Sequence, residues 1–261
     1  MSIIKKSLVM FTLGISIFSF SQTKDAPKTI HVFVALCDNI NQGIVPVPTL
    51  IGNGQDPKNN LYWGALYGVK NFFKNKSTTW LYKGIIASNN ATVLERVLFK
   101  HRTKNIYLLA EAYDGKEIKR CIEDFLYASN ANLKKDITYE DNKTLKFGGA
   151  SDMVVYVGHD GLMEFQVTLD YKEMPSKDID AIMLACASKN YFANELKQAK
   201  ANPVLWTTNL MAPEAYTLEA ALNSWSNNET EVGIKEAAAQ AYHKYQKCGI
   251  KGARNLFATG F

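Results

Sequence analysis

Short, nearly continuous apolar runs of strand length alternate along this chain with segments of helical periodicity. The apolar runs lie at 30–36, 105–110, 153–157, 179–185 and 203–206. Strands that are apolar at successive positions are typical of parallel sheets, because both of their faces are buried. Alternation of such strands with helices predicts an α/β fold, namely a three-layer α/β/α sandwich around a mostly parallel sheet.

Helical spacing of apolar residues is clearest between Glu117 and Ala128. Further helices are predicted at 61–74, 91–101, 214–225 and 229–247. The stretch from Asp38 to Asn60 is rich in Gly, Pro and Asn and is too long for an ordinary connection, so we interpret it as a flexible, substrate-facing loop. No linker or repeat divides the chain. Residues 22–261 are therefore expected to form one domain that ends in C-terminal helices.

The N-terminus has the three-part pattern of a secretory signal peptide. Two lysines precede an apolar run from Leu8 to Phe20, and Ser19 and Ser21 place small residues ahead of a cut before Gln22. The pattern predicts a cleaved signal at residues 1–21 and export to the periplasm or the medium. An uncleaved membrane anchor is the alternative. No later apolar stretch is long enough to span a bilayer, so no membrane span is expected after signal removal.

The charge and cysteine content narrow the function classes. The formal charge is +5, and removal of residues 1–21 takes away two lysines and no acid, which leaves +3. Lys and Arg are scattered rather than clustered with aromatics, which argues against nucleic-acid binding. Four cysteines are too few for a disulfide framework, and their spacing does not resemble a zinc site. We therefore expect neither a metal nor a cofactor.

Two reactive side chains follow two successive predicted strands. His159 comes directly after the run 153–157 and its Gly158, and Cys186 comes after the run 179–185. Ligands in open α/β sheets bind beyond the carboxyl ends of the strands, and neighbouring strands are about 4.8 Å apart. A cysteine and a histidine within reach of each other are the minimum for thiol nucleophilic catalysis. The alternative is that Cys186 is a core thiol, which is common at strand ends.

Several short blocks occur in the order found in a known peptidase group. They are His159 at one strand end, residues 185–188 (Ala-Cys-Ala-Ser) at the next, residues 206–209 (Trp-Thr-Thr-Asn), and residues 32–39 followed by 60–62. Together they resemble the clan CD cysteine peptidases of the caspase–haemoglobinase fold, and among these the legumain-like peptidases most. The resemblance covers most of residues 30–217. It implies a caspase-like α/β/α domain with cysteine peptidase activity.

Position by position, the resemblance assigns roles at the reacting centre. Cys186 would be the nucleophile and His159 its proton-transfer partner. Asn39 would take the place of the asparagine that orients the histidine, with Asp38 as a nearby competitor for that role.

The remaining roles implied by the resemblance concern the substrate side. Gly161 and the backbone N–H of Cys186 would form the oxyanion hole, and Thr208, Leu184 and Asp160 would line the substrate. Two departures from the family stand out. Asp160 intervenes between the histidine and the glycine, so its own N–H competes for the oxyanion role. Leu184 stands where active relatives carry a polar, substrate-contacting residue, so the asparagine specificity of legumains does not transfer.

The leading hypothesis is an exported cysteine hydrolase, specifically an endopeptidase that acts on peptide or protein substrates by Cys-His nucleophilic catalysis. The alternative is a non-catalytic caspase-like relative that binds a peptide or a surface partner through the same cleft, which Asp160 and Leu184 motivate. A third possibility is an envelope-associated structural protein without a functional cleft, in which Cys186 would be buried.

Overall fold

A computed structural model of the chain describes residues 26–140, 143–173 and 175–261. The signal peptide predicted at residues 1–21 lies outside these ranges. The strands are, in chain order, β1 Lys28–Ala35, β2 Trp80–Ile85, β3 Val93–His101, β4 Ile106–Tyr113, β5 Lys134–Tyr139, β6 Lys143–Gly148, β7 Met153–Val157, β8 Asp180–Leu184, β9 Asn202–Thr207 and β10 Phe257–Ala258. The α-helices are α1 Val69–Asn75, α2 Ile118–Ser129, α3 Ser188–Ala199, α4 Ala215–Ser226, α5 Glu231–Gln246 and α6 Ile250–Leu256.

Eight of the strands form one mixed sheet in the order β10-β9-β8-β7-β1-β4-β3-β2. The five central strands, from β9 to β4, run parallel, and the strands at both edges run antiparallel. Strands β5 and β6 make a separate hairpin. One apolar cluster packs α1, α4, α5 and α6 on one face of the sheet, and a second packs α2 and α3 on the other. The predicted α/β fold with a mostly parallel, sandwiched sheet is confirmed.

The central strands owe their position to apolar residues on both faces. Every residue of β4 and of β7 is buried, and so are all residues of β1 except Lys28. Successive side chains of a strand point to opposite faces, so each strand contributes to both cores. Within the described ranges, no helix is long and apolar enough to cross a membrane.

One predicted helix is wrong, and another is longer than the helix observed. Residues 93–101 of the helix predicted at 91–101 form β3, an antiparallel partner of β4. A short apolar run such as Val97–Phe99 fits a buried strand as well as a helix. The predicted helix at 61–74 is reduced to α1. The residues before it form turns, since the side chain of Asn60 accepts the backbone N–H groups of Cys37 and Tyr62 and holds the chain in another path.

A cluster of charges lies inside the fold next to the hairpin. The buried carboxylate of Glu111 accepts hydrogen bonds from His31 Nε2 at 2.9 Å, Arg96 Nε at 2.6 Å and Lys135 Nζ at 2.7 Å. Gly148 donates its N–H to His31 Nδ1 at 3.2 Å, so this ring is neutral with its proton on Nε2. Burial lowers the pKa of His31 to about 4. Burial alone would raise the pKa of Glu111, but His31, Lys135 and Arg96 outweigh it and hold that pKa below its usual range.

Candidate active site

The two reactive residues leave the sheet at the same level. Val157 of β7 is the register partner of Leu184 of β8, and the N–H of Gly158 donates to the carbonyl of Leu184 at 3.2 Å. His159 and Cys186 each follow two residues later, at the carboxyl edge of adjacent parallel strands. Strand β1 lies between β7 and β4, so the chain order reverses beside β7. Such a reversal is where open α/β sheets bind their ligands.

His159 is held by a carboxylate five residues further along the chain. Its side chain is only 9% exposed, and its Nε2 lies 2.5 Å from Oε1 of Glu164. A 3-10 turn at Gly161–Met163 brings Glu164 back to the ring. The hydroxyl of Tyr156 donates to the carbonyl of His159 at 2.6 Å and fixes its backbone. Hydrogen bonds therefore hold both the ring and the main chain of His159.

Cys186 is a half-buried free thiol at the turn between β8 and α3. The backbone of Met211 surrounds its sulfur, with the N–H at 3.5 Å and the carbonyl at 3.6 Å from Sγ. The next residue, Ala187, has a left-handed backbone with φ +47°, and its N–H donates to the carbonyl of Asn209 at 2.9 Å. A non-glycine residue in this conformation costs roughly 1–2 kcal/mol.

A network of hydroxyls stabilises this turn. The hydroxyl of Ser188 donates to the carbonyl of Met183 at 2.9 Å, and the N–H of Ser188 donates to Oγ1 of Thr207 at 3.2 Å. Thr207 in turn donates its hydroxyl to the carbonyl of Ala185. Because the turn is bonded to two strands, the strained conformation of Ala187 persists and Cys186 stays at the sheet edge.

The expectation that Asn39 orients His159 needs correction. The side-chain amide of Asn39 bonds Val47 twice, accepting its N–H at 3.0 Å and donating to its carbonyl at 2.8 Å. The competitor Asp38 is engaged in capping its own loop, accepting the N–H groups of Ile40 and Asn41. Both residues shape the long loop after β1. Within the described ranges, the side chain bonded to the imidazole is Glu164.

Gly161 is also used differently from the expectation. Its N–H donates to the carbonyl of His159 at 3.1 Å, so it is not available as an oxyanion donor in this conformation. The glycine serves packing instead, since a Cβ here would lie 2.5 Å from the ring of Phe165. The N–H of Cys186 makes no hydrogen bond among the described residues, so it remains the candidate donor from the predicted pair.

Two residues expected to line the substrate are inside the protein. Leu184 is fully buried in the apolar core, because its side chain points from β8 toward the helices on one face of the sheet. Asp160 is also fully buried. One of its oxygens accepts the N–H of Leu162 at 3.1 Å, while Oδ2 has no partner among the described residues. Burial, assisted by the charge of Glu164, raises the pKa of Asp160 to about 7.

Thr208 lies at the surface just beyond β9. Its hydroxyl donates to the carbonyl of Asn255 at 2.8 Å, and it lines a cavity of about 410 Å³ together with Asn209, Leu210 and Tyr242. This segment directly precedes Met211, whose backbone holds the sulfur of Cys186. Thr208 is thus exposed, unlike Leu184 and Asp160, and the cysteine that lines its cavity is Cys248.

The other three cysteines differ in their exposure. Cys37 and Cys121 are fully buried core thiols, and Cys248 is exposed. All four cysteines are free thiols. In the part of the chain that the structure describes, no cluster of three or more His, Cys, Asp or Glu side chains is arranged to hold a metal ion.

The fold and the site define a class of protein: an α/β/α sandwich with a cysteine and a histidine at the carboxyl edge of adjacent parallel strands. Comparison of the chain with family models, with curated proteins and with solved structures finds no match.

Sequence reasoning missed two partners of the reactive pair. Glu164 is one of many surface carboxylates, and only the 3-10 turn at Gly161–Met163 makes it a neighbour of His159. Met211 acts through its backbone, which has no sequence signature at all. A carboxylate a few residues after a strand-end histidine was the only signal in the sequence.

Proposed function

We propose that this chain is an exported cysteine hydrolase, specifically an endopeptidase acting on peptide or protein substrates. The observation that carries the proposal is the matched position of His159 and Cys186, each two residues beyond the register pair Val157 and Leu184. Export rests on the signal-peptide pattern of residues 1–21.

The strand arrangement supports the resemblance to the caspase–haemoglobinase fold. In that family a buried strand ends in the catalytic histidine and the next strand ends in the catalytic cysteine. Here β7 precedes His159, β8 precedes Cys186, and the two strands are adjacent and parallel. The half-buried state of Cys186 also suits a nucleophile better than full burial in a core would.

The proposed reaction uses groups already described. The thiol of Cys186 gives its proton to His159, and the sulfur attacks the peptide carbonyl carbon to form a tetrahedral intermediate. The N–H of Cys186 donates to the oxyanion. His159 passes the proton to the leaving amine as the C–N bond breaks and a thioester forms. Water then attacks the thioester, giving one proton to the departing sulfur by way of His159, and releases the carboxylic acid.

A degenerate library of internally quenched peptides tests the proposal. The mature wild-type protein should cleave members of the library, and Cys186→Ala should lower the rate by at least about 10³-fold, since removal of a nucleophile abolishes covalent catalysis. Cys121→Ala is the matched control, because it removes a thiol that is buried in α2 and takes no part in the proposed reaction. A folded wild type that cleaves nothing, or a Cys186→Ala variant as active as wild type, contradicts the proposal.

Two hydrogen bonds favour the non-catalytic alternative. The N–H of Gly161 is bonded to His159 and the sulfur of Cys186 is bonded to Met211, so parts of the expected machinery are internally satisfied. A binding protein of this kind would retain peptide affinity after Cys186→Ala and show no turnover as wild type. Equilibrium binding of library peptides to both proteins, measured alongside cleavage, separates the two functions.

A further inference from the structure

We propose that Glu164 is the positioning residue of His159: its carboxylate fixes the imidazole with the proton on Nε2 and leaves Nδ1 to exchange a proton with Cys186. This inference rests on the proposed function for its catalytic meaning. The bond on which it is built, between Glu164 and His159, is a separate observation.

The hydrogen bond between Glu164 and His159 is short and shielded from water. Oε1 of Glu164 lies 2.5 Å from Nε2 of His159, a distance typical of a strong charge-assisted hydrogen bond. An ionised carboxylate only accepts, so Nε2 must be the nitrogen that carries the proton. The side chain of His159 is 9% exposed, which limits competition from water. Among the described residues Nδ1 makes no hydrogen bond, so it is the nitrogen left for proton transfer.

Backbone hydrogen bonds hold the turn that carries Glu164. Gly161 donates its N–H to the carbonyl of His159 at 3.1 Å, and Glu164 donates its N–H to the carbonyl of Gly161 at 2.9 Å. The segment is therefore internally bonded from the histidine to the glutamate. These backbone bonds fix the position of the Glu164 backbone relative to the imidazole ring. The contact between the two side chains therefore does not depend on chance.

The long loop after β1 also contacts the carboxylate of Glu164. Gly43 in this loop donates its N–H to the same Oε1 atom at 2.7 Å, so a second donor holds the carboxylate in place. A Cβ at position 43 would lie only 2.2 Å from that oxygen. Any larger residue would displace the end of the Glu164 side chain. The loop thus contributes to His159 through Glu164, in place of the contribution expected from Asn39.

The experiment uses three variants of the full mature chain. Glu164→Ala removes the carboxylate, Glu164→Asp keeps the charge on a shorter side chain, and Gly43→Ala leaves the carboxylate in the chain but pushes it from its place. Gly233→Ala is the matched control, because its Cβ would also displace a glutamate end, that of Glu229 at 2.8 Å, near the start of α5. Glu164 is 33% exposed, so its replacement should not unfold the protein.

The first measurement is the tautomer of His159, read from long-range ¹H–¹⁵N correlations of the ring. Wild type and Gly233→Ala should show the Nε2–H form, and Glu164→Ala and Gly43→Ala should lose this preference, with partial recovery in Glu164→Asp. A tautomer that is the same in wild type and Glu164→Ala overturns the inference. This measurement needs no catalytic activity, so it decides the inference even if the wild type proves inert and the proposed function fails.

The second measurement is steady-state peptide cleavage. We expect Glu164→Ala and Gly43→Ala to lower kcat by about 10- to 10³-fold with KM changed less than about twofold, because positioning supports only part of the contribution of a general base. Glu164→Asp should recover part of the loss. An active wild type whose kcat is unaffected by Glu164→Ala overturns the positioning role while leaving the proposed function intact.

Discussion

Val157 and Leu184 face each other in register across the parallel pair β7–β8, and this relationship sets the level at which His159 and Cys186 leave the sheet. Both side chains are buried in the same apolar cluster. A slip of one residue would move every side chain of a strand to the opposite face and into the other apolar cluster, so the fit of each side chain within its own cluster fixes the register. The relative level of the two reactive residues is thereby a consequence of core packing.

Replacement of Leu184 tests whether this position belongs to the core or to the substrate pocket. Leu184→Ala should lower the free energy of unfolding by about 2–5 kcal/mol, because the residue is fully buried and a cavity would remain. Cleavage preference per folded molecule should stay as in wild type. Denaturant unfolding and library profiling measure the two effects, and Thr208→Val, at the accessible cavity, is the comparison. A new preference in Leu184→Ala with unchanged stability would show that Leu184 contacts substrate.

Removal of the buried charge of Glu111 should be severe. Glu111→Gln leaves Arg96 and Lys135 without their carboxylate inside the protein, and breaking a buried ion pair on one side costs about 3–5 kcal/mol. Denaturant unfolding at pH 7 measures the loss. The surface variant Glu236→Gln, which removes the partner of Arg254, should leave the unfolding midpoint unchanged. Equal effects of the two variants would contradict the described network.

Asp160 should make the protein less stable as the pH rises. Burial raises its pKa from the ordinary 3.8 to about 7, so the folded chain keeps a proton that the unfolded chain releases. The stabilisation from this proton is complete below about pH 4 and is lost as the pH rises toward 7. Asp160→Asn keeps an acceptor for the N–H of Leu162 and removes the titration.

The difference in unfolding free energy between Asp160→Asn and wild type therefore isolates this group. We expect it to be near zero at pH 4 and to favour the variant by a few kcal/mol at pH 8, since each pKa unit corresponds to about 1.4 kcal/mol. His31, whose lowered pKa makes the folded chain lose stability upon acidification, is present in both proteins and cancels. A difference that is the same at every pH would show that Asp160 is ionised in the folded state.

The central strands could be predicted from sequence because each is apolar at nearly every position. Strand β7 is apolar at every position, and residues 30–35 of β1 are interrupted only by His31. Apolar runs this short favour strands over helices. Residues 91–101 are also rich in apolar residues, but the spacing of these residues fits a helix as well as a strand. Only pairing with β4 decides in favour of a strand, and pairing is a tertiary property that a local pattern does not contain.

The placement of His159 and Cys186 at the ends of adjacent strands could be predicted from the sequence, because it needs only strand order and strand ends. The partners of that pair could not be predicted in the same way. The resemblance predicts that Asn39 lies beside His159, yet its side-chain amide bonds the backbone of Val47, eight residues later. Glu164 reaches the ring through a 3-10 turn whose direction depends on packing of Gly161 against Phe165. Loop geometry of this kind depends on contacts between distant elements.

Site-resolved alkylation of the four cysteines tests whether His159 activates Cys186. Wild type and His159→Ala are treated with iodoacetamide at pH 7, and the rate at each cysteine is measured by mass spectrometry of peptides. The thiolate is the reactive form, so a proton acceptor beside Cys186 should make it the fastest site despite the greater exposure of Cys248. We expect His159→Ala to slow Cys186 by about tenfold or more and to leave Cys248 unchanged. Faster labelling of Cys248 in wild type, or no effect of His159→Ala on Cys186, would contradict a Cys186–His159 catalytic pair.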